Sequence, residues 1–286
     1  MTYKIITDSA CDLPVSMLEQ LDVTTASLVV NFRGETRNDS VADGEVKQLY
    51  DAMRGGEVAT TSAINPDGWA RVMEPVLQGG KDILVLAFSS GLSTTYQSAV
   101  IAATDLKEQY PDRKIFVVDT GCAALGQGLL VWHVCKMRDT GMTLEQLRDW
   151  AEENKFHTAH WFTVDDLVYL KRGGRVSAAT AVLGAMLNIK PVLHVDDEGH
   201  LISMIKARGR KAAIDALAKK FDETSQGYEQ DMVFICHADC LEDAKKLEQM
   251  ILQRGVKEVF IGNLGAVIGS HAGPGTLALF FMAQHR

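Results

Sequence analysis

Ile83–Ala103 reads ILVLAFSSGLSTTYQSAVIAA: an apolar run, a Ser-Ser-Gly-Leu-Ser turn, then a helical stretch. The run Ile83–Phe88 has the length and unbroken hydrophobicity of a strand covered on both faces. Gly91 supplies a flexible bend, and Ser93 or Thr94 stands where a helix takes its N-cap. Such a turn aims free backbone N–H groups, hydroxyls and the positive end of a helix dipole at one point, which makes it an anion site. Residues elsewhere in the chain decide which anion it takes.

Working outward, Tyr3–Thr7 predicts a first strand, and Pro14 opens a short helix to about Gln20. Thr24–Phe32 alternates as a second strand, turned by Arg33-Gly34-Glu35, and a helix from Asp43 to Arg54 stops at Gly55-Gly56. Ala59–Pro66 is read as a polar loop before a helix to about Gln78. Lys114–Val118 is another buried strand, Asp119–Cys122 leads into a helix of about five turns, and Thr143-Leu-Glu-Gln146 has the form of a capping box. Strand and helix alternate to Asn154, as in a largely parallel α/β sheet. After about Lys155 the pattern changes. His157–Val164 is a strand, and Asp165–Arg175 opens a helical, glycine-interrupted region. Pro191–Val195 and Leu201–Lys206 flank a hairpin turn at Asp196–Gly199. A helix from Lys211, a strand Met232–His237, a helix Glu242–Arg254 and strands Val259–Leu264 and Thr276–Met282 follow, suiting a mixed sheet. The expected organisation is two α/β domains, 1–155 and 156–286.

Composition narrows the function. The 286 residues suffice for about two domains, and 47% hydrophobic with 23% charged residues describes a chain with a substantial core. A net charge of −8 and the lack of a basic patch argue against a nucleic-acid partner. No signal region and no long apolar run stands out, so a cytoplasmic protein without a transmembrane segment is expected. Cys11, Cys122, Cys135, Cys236 and Cys240 are not spaced as a disulfide framework and read as reduced thiols.

Common catalytic signatures fail. There is no G-x-x-x-x-G-K-[ST] and no H-E-x-x-H, and Gly126-Gln127-Gly128 lacks the third glycine of a dinucleotide fingerprint. Gly91-Leu92-Ser93-Thr94-Thr95 resembles a serine-hydrolase elbow, but Thr95 crowds the position of its second glycine. Ser93 is therefore open to three readings: anion ligand, helix cap or nucleophile. Cys236-His237-Ala-Asp239-Cys240 carries metal-ligand types without the spacing of a zinc site; no metal is expected. Arg175, after Gly173-Gly174, either ends a solvated helix or folds back onto an anionic group. His271-Ala-Gly-Pro-Gly-Thr276 is read as a tight loop with a titratable side chain.

Taken in order, these stretches resemble the DegV family of bacterial fatty-acid-binding proteins. The resemblance is carried by Thr7-Asp8-Ser9…Asp12-Leu13-Pro14, Thr61-Ser62, Ser89–Ser93 with Thr95–Ala99, and Asp119…Leu125–Gly128. Tyr169–Arg175, Leu187–Pro191 and His271–Thr276 extend it through essentially the whole chain. It implies a two-domain fold, with head-group loops in the first domain and a second domain covering a buried long-chain acyl group in a tunnel of roughly 300–500 Å³. It also implies that Thr61 and Ser93 hold the carboxylate, with Ser62, Gly91, Arg175 and His271 as further ligand contacts. Such a protein is a carrier, not an enzyme, and needs no cofactor. Its partners are the fatty acid, a separate dihydroxyacetone-kinase-like fatty-acid kinase that makes acyl phosphate for phospholipid synthesis, and a membrane in transient contact. The competing expectation is a hydrolase or acyltransferase with Ser93 as nucleophile. Thr94 departs from the family pattern, where glycine is common, as do Ala63-Ile64-Asn65 and Gly121-Cys122; none of these removes Thr61 or Ser93.

Overall fold

The computed structural model describes residues 2–39, 43–176 and 188–286, with the side chains of 43–45 outside the description. Leu187, which opens the Leu187–Pro191 stretch, therefore lies outside the described residues. The first half builds a four-stranded parallel sheet from β1 (Tyr3–Asp8), β2 (Val23–Ala26), β6 (Asp82–Ala87) and β7 (Ile115–Asp119), in the order β2-β1-β6-β7. The run Ile83–Ala87 is fully buried, as expected of an interior parallel strand covered on both faces. Helices Pro66–Gln78, Thr95–Gln109 and Leu144–Asn154 follow the expected alternation. Asn65 caps the first through the Gly68 N–H at 2.8 Å, and Thr143 and Gln146 form both bonds of the capping box.

Thr24–Phe32 is not one strand. The chain leaves the parallel sheet at Ser27-Leu28, where the Leu28 N–H donates to Ser9 Oγ at 3.0 Å. β3 (Val29–Phe32) then pairs with β4 (Glu35–Asn38) and β5 (Thr60–Ser62) in a separate three-stranded antiparallel sheet. Thr61 accordingly sits on a strand opposite Val30, not in a loop.

The second half supplies β8 (Thr158–Thr163), β9 (Ile189–Val195), β10 (Leu201–Arg208), β11 (Val233–His237), β12 (Val259–Asn263) and β13 (Leu277–Met282). They form a six-stranded mixed sheet, order β10-β9-β8-β13-β11-β12, in which only β11 and β12 pair in parallel. Helices Arg210–Thr224 and Leu241–Leu252 cover one face with Leu217, Phe221, Leu247 and Ile251.

Between the two sheets runs helix Ala124–Asp139, buried over most of its circumference. Its first two turns, Ala124–Val131, are buried on every side, as suits a segment with apolar residues around most of its circumference. Its two early glycines permit the close approach: a Cβ at Gly128 would stand 2.8 Å from the Cys11 carbonyl oxygen, and one at Gly126 only 2.1 Å from His160 Nε2. The G-x-G pair is thus a packing device. Gly126→Ala should destabilise the fold by about 1–3 kcal/mol through overpacking, measured as a lower urea midpoint with the m-value retained.

Candidate functional site

The carboxyl ends of β1, β6 and β7 lie side by side, where open parallel sheets gather their ligands. The turn after β6 is held there by carboxylates of its neighbours. Asp8 accepts from the Phe88 N–H at 2.7 Å, and Asp119 accepts from the Ser90 and Gly121 N–H groups at 3.1 Å each. Burial pushes the Asp8 carboxyl up to about 7 against these bonds. Helix Thr95–Gln109 begins after Thr94, whose side chain makes no capping bond. Ser93 Oγ instead accepts from the Thr95 N–H at 3.2 Å and lies 2.8 Å from Thr95 Oγ1. Ser93 has no left-handed backbone, and Thr95 is fully buried with its carbonyl accepting from Trp69 Nε1 at 3.0 Å. The strained turn of a nucleophile elbow is not built here.

A second group of polar side chains, Thr61 from the first half of the chain and Arg175 and His271 from the second, meets this turn. Thr61 Oγ1 and His271 Nε2 are 2.7 Å apart. Arg175 donates from Nε to the Leu92 carbonyl at 3.0 Å and from Nη1 to the Gly173 carbonyl at 2.6 Å. It folds back onto the turn. His271 belongs to the last turn of helix Ala266–Ala272, not to a loop, because its residues continue a helical ladder closed by Gly273 N–H on the Gly269 carbonyl. Its Nδ1 is buried without a hydrogen bond, and a Cβ at Gly173 would stand 2.1 Å from it. Burial, reinforced by the Arg175 charge, pushes the imidazole down to about 4, so it is neutral at neutral pH. A neutral imidazole donating from Nε2 leaves the Thr61 hydroxyl proton for a ligand.

These groups stand in the wall of a cavity of about 430 Å³. Phe88, Leu92, Phe162, Leu170, Val267 and Phe280 are among its apolar lining, which is drawn from both halves of the chain. Arg175 is the one charged side chain among the described lining residues. His160 also faces it: Nε2 accepts from the Ala123 N–H at 3.2 Å, so Nδ1 carries the proton and donates to the Thr158 carbonyl at 2.8 Å. Burial pushes this imidazole down to about 3.

Of the six residues singled out from sequence, Thr61, Ser93, Arg175 and His271 line this cavity. Ser62 and Gly91 do not. Strand alternation turns Ser62 to the exposed side, where it accepts from Asn31 Nδ2 at 3.3 Å. Gly91 packs against the β9–β10 turn, since a Cβ there would lie 2.7 Å from the Glu198 carbonyl oxygen. Sequence reasoning missed His160, Val195 and Leu201 as cavity wall. The thiols are unlinked, and burial pushes Cys122 up to about 11. Among the described residues no group of three or more metal-ligating side chains converges, and no helix is long and apolar enough to cross a membrane.

A family model described as "Uncharacterised protein, DegV family" matches residues 2–284. The chain belongs to the DegV family. A DegV domain-containing protein of Clostridium perfringens is 43% identical over 99% of this chain and 98% of its own. Among solved structures, a DegV family protein from Thermus thermophilus described by its fatty acid binding is 33% identical, with a TM-score of 0.90 over 99% of this chain and 100% of that one. A Thermotoga maritima protein, described as revealing a fatty acid binding function, is 31% identical with a TM-score of 0.84 over 99% of each chain.

The DegV site carries its own pH signature. His271 binds a proton near pH 6.5 when unfolded but only at about 4 when folded. The unfolded state therefore holds more protons between these values, and this group's share of stability falls as pH drops through that window, by about 3 kcal/mol in full. His271→Gln should show a shallower loss of unfolding free energy between pH 6.5 and 4 than the wild type, measured by urea titration at each pH.

Proposed function

We propose that the cavity holds one long-chain fatty acid, with its tail on the apolar walls and its carboxylate at Thr61 and Ser93. Arg175 and His271 contact the head group, and the chain serves as a carrier that presents the carboxylate to a separate dihydroxyacetone-kinase-like fatty-acid kinase. Acyl phosphate made in this way feeds phospholipid synthesis. The observation that carries the reading is the cavity itself: apolar for most of its wall, with hydroxyls, a neutral imidazole and its one charged described residue, Arg175, on the lining. The fatty acids described for the Thermus and Thermotoga relatives support the same ligand class.

Magnitudes assign the roles. A tail of about fifteen methylenes gains about 12 kcal/mol gross on burial at ~0.8 kcal/mol each. Hydrogen bonds to a charged group add about 1.5–3 kcal/mol apiece. The tail supplies most of the affinity, while the polar end offsets the desolvation of the carboxylate and decides which end of the ligand faces the kinase. Ser93 acts as a clamp in this scheme, its hydroxyl committed to the Thr95 N–H. Neither cofactor, metal nor nucleic acid has a part in it. The acyl chain arrives by transient contact with a membrane, and the carrier itself works in the cytoplasm.

Native mass spectrometry with lipid extraction, on protein made in bacteria, should find one fatty acid per chain. The Thr61→Ala/Ser93→Ala double variant should keep the fold and lose affinity by about tenfold or more, the equivalent of at least one charged hydrogen bond, together with most phosphorylation by the kinase. Wild-type capture and phosphorylation in the double variant would sink these two roles, and labelling of Ser93 by a fluorophosphonate would favour the hydrolase instead.

A further inference from the structure

Ser89 lies beside the cavity without lining it, and it ties two of the cavity's walls together. Its side chain is fully buried. The hydroxyl donates to the Gly199 carbonyl at 2.9 Å and accepts from the Gly91 N–H at 3.2 Å. Its backbone carbonyl accepts from the Leu92 and Ser93 N–H groups at 3.1 Å each. One residue therefore connects the β9–β10 hairpin tip to the turn that carries Ser93. The opposing surfaces are shaped to this contact. A Cβ at Gly199 would stand 2.1 Å from Ser89 Oγ, and the glycine has φ +78°, a backbone that side chains rarely adopt.

Among the described residues, Ser89 makes the buried side-chain contact to the tip of this hairpin. β10 is the edge strand of its sheet. The β9 ladder to β8 pairs His194, Leu193 and Val192 with Trp161, Phe162 and Thr163, and stops short of Val195. Val195 and Leu201, which bracket the hairpin turn, are both cavity wall. Among the described residues, the other contacts at this end include a backbone bridge between Val176 and Leu201 beside the hairpin turn, Arg286 Nη1 on the Asp196 carbonyl at 3.4 Å and an exposed His285–Asp197 contact at 3.0 Å. Swinging the tip away from Ser89 would part the wall between Leu201 and the Ser90–Thr94 turn.

We infer that Ser89 is a positioning residue that latches the β9–β10 hairpin over the cavity, and that the acyl chain enters and leaves when this latch opens. The route rests on the acyl-binding reading for its ligand; the latch itself does not. Loss of one buried neutral hydrogen bond should make opening about three- to tenfold more frequent. An open route serves entry and exit alike, so both rates rise and the dissociation constant moves less than either. That separates Ser89 from Thr61 and Ser93, whose loss raises the dissociation constant.

The test uses the full chain as wild type, Ser89→Ala, Gly199→Ala and the double variant. Stopped-flow fluorescence with cis-parinaric acid should show association and release each about three- to tenfold faster in both single variants. The double variant should go no further than the faster single one, since both break the same contact. Hydrogen–deuterium exchange without ligand should quicken in residues 195–201 and 89–93 of Ser89→Ala and nowhere else. Unchanged exchange there overturns the latch, and faster exchange with wild-type release overturns the route. A wild type that binds no fatty acid overturns the acyl-binding reading and the route together, while the exchange data still decide the latch.

Discussion

The hydrogen bond between Thr61 and His271 joins positions 210 residues apart, and the polar end of the cavity depends on it. Neither side chain stands on an element that could form alone. β5 has three residues and helix Ala266–Ala272 has seven, well below the roughly 12–15 at which an isolated helix becomes marginal. Tertiary contacts hold the helix instead. Its Val267 N–H donates to Asp39 Oδ1 at 3.1 Å, and Gly269 leaves room for Tyr50, where a Cβ would lie 2.1 Å from the phenol oxygen. Tyr50 in turn donates to the Leu264 carbonyl at 2.7 Å. The polar end of the cavity is thus a product of packing between the two halves of the chain.

Electrostatics at that end follow from burial. A charged His271 beside Arg175 would put two cations at the edge of an apolar cavity, and desolvation together with the guanidinium keeps the imidazole neutral. The described lining then offers one positive charge and no negative one, which matches a monoanion. His160 and the start of helix Ala124–Asp139 form another part of the wall. Ala124 takes φ +53° there, a conformation costing about 1–2 kcal/mol for a residue with a Cβ. The His160 bond to the Ala123 N–H fixes the chain just before that position.

Much of this architecture was legible in local signals. The apolar run at Ile83–Phe88, the Thr143–Gln146 capping box and the Asp196–Gly199 turn each involve neighbouring residues, and all three form as read. Features that depend on distant partners were not legible. Thr60–Ser62 has no apolar alternation, and only its pairing with Val29–Asn31 makes it a strand. Nothing in the alternation of Thr24–Phe32 announces the change of sheet at Ser27-Leu28, which rests on the Ser9 hydroxyl. Gly91 does lie in the turn, as read, but nothing local announces that its missing side chain also makes room for the hairpin docked 110 residues downstream of Ser89. For the candidate site, residue types and spacing pointed to the Ser89–Ser93 turn and raised Arg175 and His271 as alternatives to ordinary surface residues, whereas Thr61 was singled out by family resemblance alone.

The energetics of a buried tail impose a further demand on any carrier of this design. If burial of the tail contributes about 12 kcal/mol gross, even a large association cost leaves affinity high, and release by simple sliding is slow. Drawing the carboxylate inward through the apolar end would strip it of its hydrogen bonds with nothing to replace them. Motion of a wall avoids both costs, because it exposes the tail along its length while the head stays solvated or clamped. A wall that moves must be attached weakly enough to open and specifically enough to return. The β9–β10 hairpin meets both conditions. A short ladder to β8 hinges it to the sheet, and a single buried hydroxyl recognises its tip.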